Sequence, residues 1–323
     1  MKVLVTGGAG YIGSHTAKAL VRAGHAPVVF DNLTMGHAWA ARWGELVIGD
    51  LADGLLLRRI IETHGIEAVV HFAANACVGE SVREPRKYFR NNVSNTINLL
   101  DAMLDSGVSL MVFSSTCATY GVPERVPIDE AHRQSPINPY GESKLMVERV
   151  LDWYGEAYSL NWMALRYFNA AGADPEGEVG EEHAPETHII PLAIQAALGR
   201  LPHFEIFGTD YSTRDGTAVR DYIHVSDLAD AHVRALDLLR SRAGRMALNL
   251  GTGTGVSVRD VVRAVENVSG KKVEIRETAR RTGDPPVLIA DWSRACELLG
   301  WRPQRSSLEE IVETAWRWHA RGV

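Results

Sequence analysis

Over the first half of the chain, short consecutive runs of apolar, mostly β-branched residues alternate with longer stretches of helical apolar period. The runs at 3–6, 28–30, 46–48, 68–72 and 110–114 predict strands buried on both faces. Between them, residues 12–23, 54–64, 92–105 and 141–157 predict helices. Gly24, Gly65 and Gly107 each follow such a stretch, where a helix ends easily on a left-handed residue. Strands alternating with helices imply right-handed βαβ units and a parallel sheet. A further strand is expected over 162–168.

The pattern changes after Asn169. Residues 173–186 are polar and rich in Gly, Pro and Glu, as in a loop or lid. Beyond them come a helix over 189–198, a strand near 204–207, a helix over 227–240, a strand over 246–250, and helices near 257–267 and 307–319. The 323 residues suit about two domains of ~150 residues. We divide the chain into 1–169 and 170–323. The 246–250 run is as apolar as the early strands, so the two parts are expected to interleave.

Composition narrows the function classes. A hydrophobic fraction of 46% and a charged fraction of 23% fit a globular protein. The net charge of -6, with no Lys/Arg-rich run, excludes a nucleic-acid surface. An anionic substrate would therefore need local arginines. Cys77, Cys117 and Cys296 are odd in number, scattered and without metal-ligand spacing. They read as reduced thiols of a cytoplasmic protein, and no metal is expected. No apolar stretch approaches the ~20 residues of a membrane span. Met1-Lys2 leads directly into a strand rather than a leader segment, so no membrane partner is expected either.

The chemistry starts at the first strand. Thr6-Gly7-Gly8-Ala9-Gly10-Tyr11-Ile12-Gly13 joins it to a helix and holds Gly-x-Gly-x-x-Gly at 8, 10 and 13. Early glycines let backbone N–H groups approach a pyrophosphate, and Gly13 lets the helix pack close to the strand. The helix N-terminus adds about half a positive charge. Asp31 ends the next strand, placed to accept hydrogen bonds from the adenosine ribose. An acid there favours NAD over NADP. Asp50-Leu51 ends the third strand; Asp50 either borders the adenine or caps the next helix. Together these features predict an α/β chain with a Rossmann-type, doubly wound parallel sheet and a smaller C-terminal α/β substrate domain.

Tyr140 and Lys144 are four apart, on one face of a helix that Pro139 starts. A phenol of pKa ~10 is a poor base at neutral pH. The nearby ammonium and the positive ring of oxidised NAD are expected to lower it. Ser114, Ser115 and Thr116 stand at the carboxyl end of a buried strand, where such sheets bind ligands. A hydroxyl there can bridge Tyr140 and a substrate hydroxyl, or satisfy local backbone groups.

The glycine loop, the Ser-Ser-Thr strand end and Tyr140-Gly-Glu-Ser-Lys144 resemble the extended short-chain dehydrogenase/reductase family. Tyr11-Ile-Gly-Ser-His15, His71-Phe-Ala73, Val78-Gly-Glu-Ser81, Tyr167-Phe-Asn169 and Val219-Arg-Asp-Tyr-Ile-His-Val225 resemble its UDP-glucose 4-epimerase group, nearly end to end. That resemblance implies C4 epimerisation of a UDP-hexose, UDP-glucose to UDP-galactose and back. Tyr140 would take the C4-hydroxyl proton with help from Lys144 and Thr116, and a tightly bound NAD would take the C4 hydride. The 4-keto sugar would turn over and regain the hydride on its other face. The implied NAD contacts are Gly7, Gly10, Tyr11, Ile12, Gly13, Asp31, Asn32, Asp50, Leu51, Phe72, Ala73, Ala74, Asn92, Ser114, Tyr140, Lys144 and Tyr167. The implied UDP-sugar contacts are Thr116, Tyr140, Asn169, His188, Ile189, Phe207, Arg220, Tyr222, Arg281, Asp284 and Leu288. Arginine suits a diphosphate because its planar fork matches the oxygens. A homodimer through the helices at 92–105 and 141–157 is implied as well.

Several positions depart from the family pattern. Thr116 replaces a common Ser and keeps the hydroxyl. Ala76 replaces a Lys that could touch the cofactor, and His188-Ile189 replaces an Asn-Leu pair. Leu288 stands where a Tyr limits sugar size, so an N-acetylated sugar could enter. A related dehydratase would need Asp-Glu after the strand-end Thr, where Cys117 and Ala118 stand here. Epimerases of UDP-GlcNAc, UDP-glucuronate or a UDP-pentose share the motifs. A non-catalytic NAD-binding scaffold would tolerate loss of Tyr140 or Lys144, and both are present.

Overall fold

The computed structural model of the chain describes residues 1–281 and 284–321. Its first half runs β1 (Lys2–Thr6), α1 (Tyr11–Arg22), β2 (Ala26–Asp31), β3 (Glu45–Ile48), α2 (Gly54–His64), β4 (Ala68–His71), α3 (Val78–Arg83), α4 (Pro85–Tyr88), α5 (Asn95–Asp105), β5 (Leu110–Thr116), α6 (Pro139–Tyr158) and β6 (Asn161–Tyr167). The second half runs β7 (Asn169–Ala171), α7 (Ile189–Ala197), β8 (Phe204–Phe207), β9 (Val219–His224), α8 (Val225–Ser241), β10 (Arg245–Leu250), β11 (Gly255–Ser257), α9 (Val258–Ser269), β12 (Ile275–Thr278), β13 (Val287–Leu288), α10 (Ser293–Leu299) and α11 (Leu308–His319).

Seven parallel strands make the central sheet, in the order β10-β6-β5-β4-β1-β2-β3. Successive strand residues point to opposite faces, and helices cover both. Leu4, Val69, Met111 and Phe113 pack against Leu57 and Ile61 of α2, Leu99 and Met103 of α5, and Leu151 of α6. Val3, Val5, Val70, Val112 and Leu248 pack the other way, against Leu20 of α1 and Leu228 and Leu236 of α8. Both faces being covered is why these strands read as unbroken apolar runs. Truncating a fully buried side chain such as Leu99 to Ala would cost about 2–5 kcal/mol.

The late apolar run does join the first sheet: β10 pairs along β6 and forms one edge. The second half also builds a small sheet, β11-β9-β13 with β7 on β9, and a separate β8–β12 pair. Strands β7, β11 and β13 span two or three residues, too short to show a period. Residues 78–88 form α3 and α4, split at Glu84-Pro85, ahead of a wider turn over Phe89–Ser94 that leads into α5. The helix expected to start at 92 therefore continues helical backbone that begins upstream of it. Gly24, Gly65 and Gly107 take the positive φ expected of them.

Candidate active site

The glycine loop crosses the carboxyl ends of β1 and β4. Gly7 sits at φ +71, and a Cβ there would lie 2.6 Å from the Ala73 nitrogen, so no side chain fits. A Cβ on Gly13 would lie 2.2 Å from the Gly7 carbonyl oxygen, so α1 lies directly against the loop. Gly10 caps α1 without a side chain, and the first turn carries no acid. The opening N–H groups of a helix have no partner within it. Tyr11, Ile12 and Gly13 turn that end to the cleft. The arrangement fits the pyrophosphate of a dinucleotide.

Asp31 lines the cleft and also holds the loop. Its carboxylate accepts hydrogen bonds from Ala9 N (3.0 Å) and Leu33 N (2.8 Å). Burial raises its pKa against the pull of those two N–H groups. Asp53, not Asp50, caps α2, accepting from Leu56 N at 2.9 Å. Asp50 is left on the cleft wall, where Asn32 Nδ2 (2.8 Å) and Ala52 N (2.9 Å) donate to it. Leu51, Phe72, Ala73 and Ala74 line the same wall. Asn92 stands directly behind that wall. It is buried beneath, bonding Asn75 through N–H and C=O and donating to Ser143 Oγ at 3.0 Å. His71, of the His-Phe-Ala motif, is likewise internal, bonded to Thr6 and Thr96 hydroxyls at 2.6 and 2.9 Å. Burial pushes its pKa down to about 3, so it is neutral.

The floor of the cleft forms where β5 ends and α6 begins. Asn138 caps α6, accepting from Gly141 N at 2.9 Å, and Pro139 opens its first turn. Tyr140 and Lys144 follow one turn apart. Lys144 Nζ donates to the Ser114 carbonyl at 2.8 Å and sits 4.8 Å from the Phe113 ring centre. The Ser114 and Tyr167 hydroxyls share a hydrogen bond of 2.5 Å. Thr116 Oγ1 accepts from Ala118 N at 3.1 Å, and its hydroxyl acts on the Tyr140 phenol. Ser115 faces away, donating to Glu148, which forms a buried ion pair with Arg166.

The chain's own groups do not by themselves lower the Tyr140 phenol. Burial raises the Tyr140 phenol well above its usual range, Tyr167 and Cys117 add to the rise, and only the Thr116 hydroxyl opposes it. Burial also pushes Lys144 down to about 7, against the pull of Glu148. Among the protein's own groups, desolvation outweighs the attraction expected from the ammonium.

The far end of the cleft is built by the second half of the chain. Asn169 opens β7, Arg220 and Tyr222 lie on β9, Phe207 ends β8, His188-Ile189 starts α7, and Leu288 lies on β13. Arg220 Nη1 donates to Val219 O at 2.7 Å, and Nη2 pairs with Asp284. The Arg281 guanidinium stacks 3.9 Å over the Phe207 ring. All these residues line one continuous cleft of about 1460 Å³ with the glycine loop and the Tyr140 floor.

Some contributors escaped the sequence reading. Asp221 is buried beside Arg220 and accepts from Thr252 N and Oγ1, Gly253 N and Ala290 N at 2.7–3.1 Å. It stitches β9 to the loop after β10. Glu181, His183 and Glu186 also line the cleft, from a segment read only as a polar loop. Their Glu-x-His-x-x-Glu spacing was the available signal.

The fold and cleft place the chain in a class, and comparison with known proteins agrees. Residues 3–251 match the model of the NAD dependent epimerase/dehydratase family, and the chain belongs to that family. Within it, the chain is 54% identical over 319 residues to the UDP-glucose 4-epimerase of Rhizobium meliloti (strain 1021), covering 99% of this chain and 97% of the relative. The UDP-glucose 4-epimerase of Brucella ovis, solved in complex with NAD, superposes with a TM-score of 0.96 at 53% identity, over 98% of both chains. The Bifidobacterium longum enzyme, solved with NAD+ and UDP, gives 0.95 at 35% identity over 100% of this chain and 99% of that one.

Proposed function

We propose that this chain is an NAD-dependent 4-epimerase that interconverts UDP-glucose and UDP-galactose through a 4-keto sugar. It is an isomerase, and its cofactor is NAD. One observation carries the reading: a single cleft runs from the glycine loop, past Tyr140, Thr116 and Lys144, to Arg220, Arg281 and Asp284. NAD, when bound, would supply a hydride acceptor and a positive ring charge. Tyr140 takes and returns the C4-hydroxyl proton. Thr116 donates to its phenolate, and Lys144, held by the Ser114 carbonyl, binds the nicotinamide ribose. Gly7, Gly10, Tyr11, Ile12 and Gly13 hold the pyrophosphate, and Asp31 the adenosine ribose. Asn169, Arg220, Arg281 and Asp284 hold the UDP, with His188, Ile189, Phe207 and Tyr222 around it. Anchoring the nucleotide leaves the sugar free to turn. In this reading, residues 1–169 bind NAD and 170–323 bind the UDP-sugar. Tyr140→Phe should then retain NAD and lose turnover; a variant with undiminished rate would overturn the assignment.

Leu288 favours a second substrate. It lines the cleft on β13 with a side chain smaller than tyrosine, so UDP-GlcNAc should also be epimerised. Product analysis across UDP-glucose, UDP-GlcNAc and UDP-glucuronate tests this, and strict rejection of UDP-GlcNAc refutes it. We also propose that two copies pair through α5 and α6. Trp153 is 75% exposed on α6, with Tyr158 and Met146 exposed on the same helix, which supports that surface. Among the described residues no helix is long and apolar enough to cross a membrane. The three cysteines are unpaired, which supports a cytoplasmic setting.

A further inference from the structure

The polar segment between β7 and α7 folds back on itself beside the cleft. Glu181, His183, Glu186 and His188 each offer one donor atom, and these atoms all lie within 4.8 Å of one another. His183 Nδ1 is 3.2 Å from a Glu181 oxygen and 3.8 Å from a Glu186 oxygen. His188 Nδ1 is 3.5 Å from Glu186 and in direct contact with Glu181. The carboxylate side chains are 3% and 5% exposed, and the His183 side chain 20%. The 3.2 Å approach lies off a hydrogen-bond direction, so the buried His183 Nδ1 has no hydrogen-bond partner.

Two buried carboxylates need two positive charges close by. Two imidazole protons would supply them; so would one divalent cation. Around a tetrahedral zinc ion, nitrogen and oxygen ligands stand ~2.0–2.1 Å from the metal and hence about 3.3–3.4 Å from one another. The separations of 3.2, 3.5 and 3.8 Å lie around that edge, the last two to different oxygens of Glu186, and the closer His188–Glu181 contact would have to open to admit an ion. We propose that Glu181, His183, Glu186 and His188 form a site for one divalent transition-metal ion of the Zn2+ class. Two imidazoles with two carboxylates suit Zn2+ better than Mg2+ or Ca2+, which favour all-oxygen shells.

The ligands are held in place by neighbours. Thr187 N and His188 N donate to Glu186 at 2.7 and 2.8 Å, and Trp318 Nε1 donates to the Glu181 carbonyl at 3.0 Å. Such outer contacts orient metal ligands. Metal binding displaces whatever protons the two imidazoles carry, and no electron transfer is involved. His188 lines the cleft, so the ion would also fix that ring on the cleft wall.

The test uses the NAD-retaining protein dialysed against chelator, then titrated with Zn2+ by calorimetry in two buffers of different protonation enthalpy. A parallel titration with Co2+ follows its visible spectrum. One ion per chain, proton release and the intense bands of tetrahedral Co2+ are expected. Losing an outer partner already weakens metal sites about 10–100-fold, so His183→Gln and Glu186→Gln should each weaken binding by at least about tenfold. Circular dichroism and NAD content identify the correctly folded variants. No saturable binding, a pale octahedral Co2+ spectrum, or unchanged affinity in a folded variant would overturn the proposal. The Co2+ spectrum of the unsubstituted protein decides even if neither variant folds.

Discussion

Gly13→Ala probes how the glycine loop is built. The added Cβ would lie 2.2 Å from the Gly7 oxygen and 2.8 Å from Gly8 Cα, where ordinary contact begins near 3.4 Å. Helix α1 and the loop must therefore part by about 1 Å, and neither contact atom is a flexible side-chain tip. Overpacking of this kind costs about 1–3 kcal/mol. With ~2.1 cal/mol/K of unfolding entropy per residue over 323 residues, each kcal/mol shifts Tm by about 1.5 °C, so a fall of about 1.5–4.5 °C is expected. The same shift carries the opening N–H groups of α1 away from the pyrophosphate, so NAD per purified chain should fall as well. Gly10→Ala is the internal comparison. Its Cβ would meet only the Gly7 oxygen, at 3.3 Å, and its φ of -85 is open to any residue. It should lose less Tm than Gly13→Ala. The assay is thermal unfolding together with NAD released on acid denaturation. Full NAD content and an unchanged Tm in Gly13→Ala, or a reversed order of the two variants, would refute the reasoning.

Other predictions follow from the same geometry. Asp221→Ala strips the acceptor from four donors around β9. It should cost at least about 2–3 kcal/mol in urea unfolding and raise KM for the UDP-sugar more than it lowers kcat, because Arg220 is its neighbour; an unaltered KM would speak against that coupling. Burial holds His71 and His224 down to about 3 and His15 and His232 down to about 4, from an ordinary 6.5. As pH falls from 6.5 toward 4 the unfolded chain binds protons that the folded chain refuses, so stability should fall with pH. His232→Gln should flatten that slope by up to about 1.4 kcal/mol per pH unit; an unchanged slope in a folded variant would show that the ring is not held neutral. If two copies pair through α5 and α6 as proposed, size-exclusion chromatography with light scattering should show a dimer that Trp153→Glu converts to monomer; a dimer that persists in the variant would move the interface elsewhere.

The central sheet was legible because covering both faces forces consecutive apolar residues into β1, β4, β5 and β10. The glycine loop was legible because its steric demands are local. What the sequence does not show has a different cause. Asn92 looks like any polar residue near a cleft, and only the packing of Asn75 and Ser143 draws it inward. The shift at Tyr140 depends on burial, which no four-residue spacing reveals. Asp221 sits in the most distinctive motif of the second half, yet its donors come from residues 252, 253 and 290. Arg220 and Arg281 were placed only through family resemblance, because long-range contacts bring them to the cleft. The Glu181–His188 cluster is the reverse case. Its members are close in sequence, and the loop-like composition of the segment hid them.

The most direct test of the whole account is turnover without added cofactor. Purified protein is incubated with UDP-galactose alone, and the nucleotide sugars are separated and quantified. The account predicts conversion to UDP-glucose with no NAD supplied and no net NADH formed, because the glycine loop retains its NAD and the hydride returns to C4. No conversion, even after NAD is added, would contradict it.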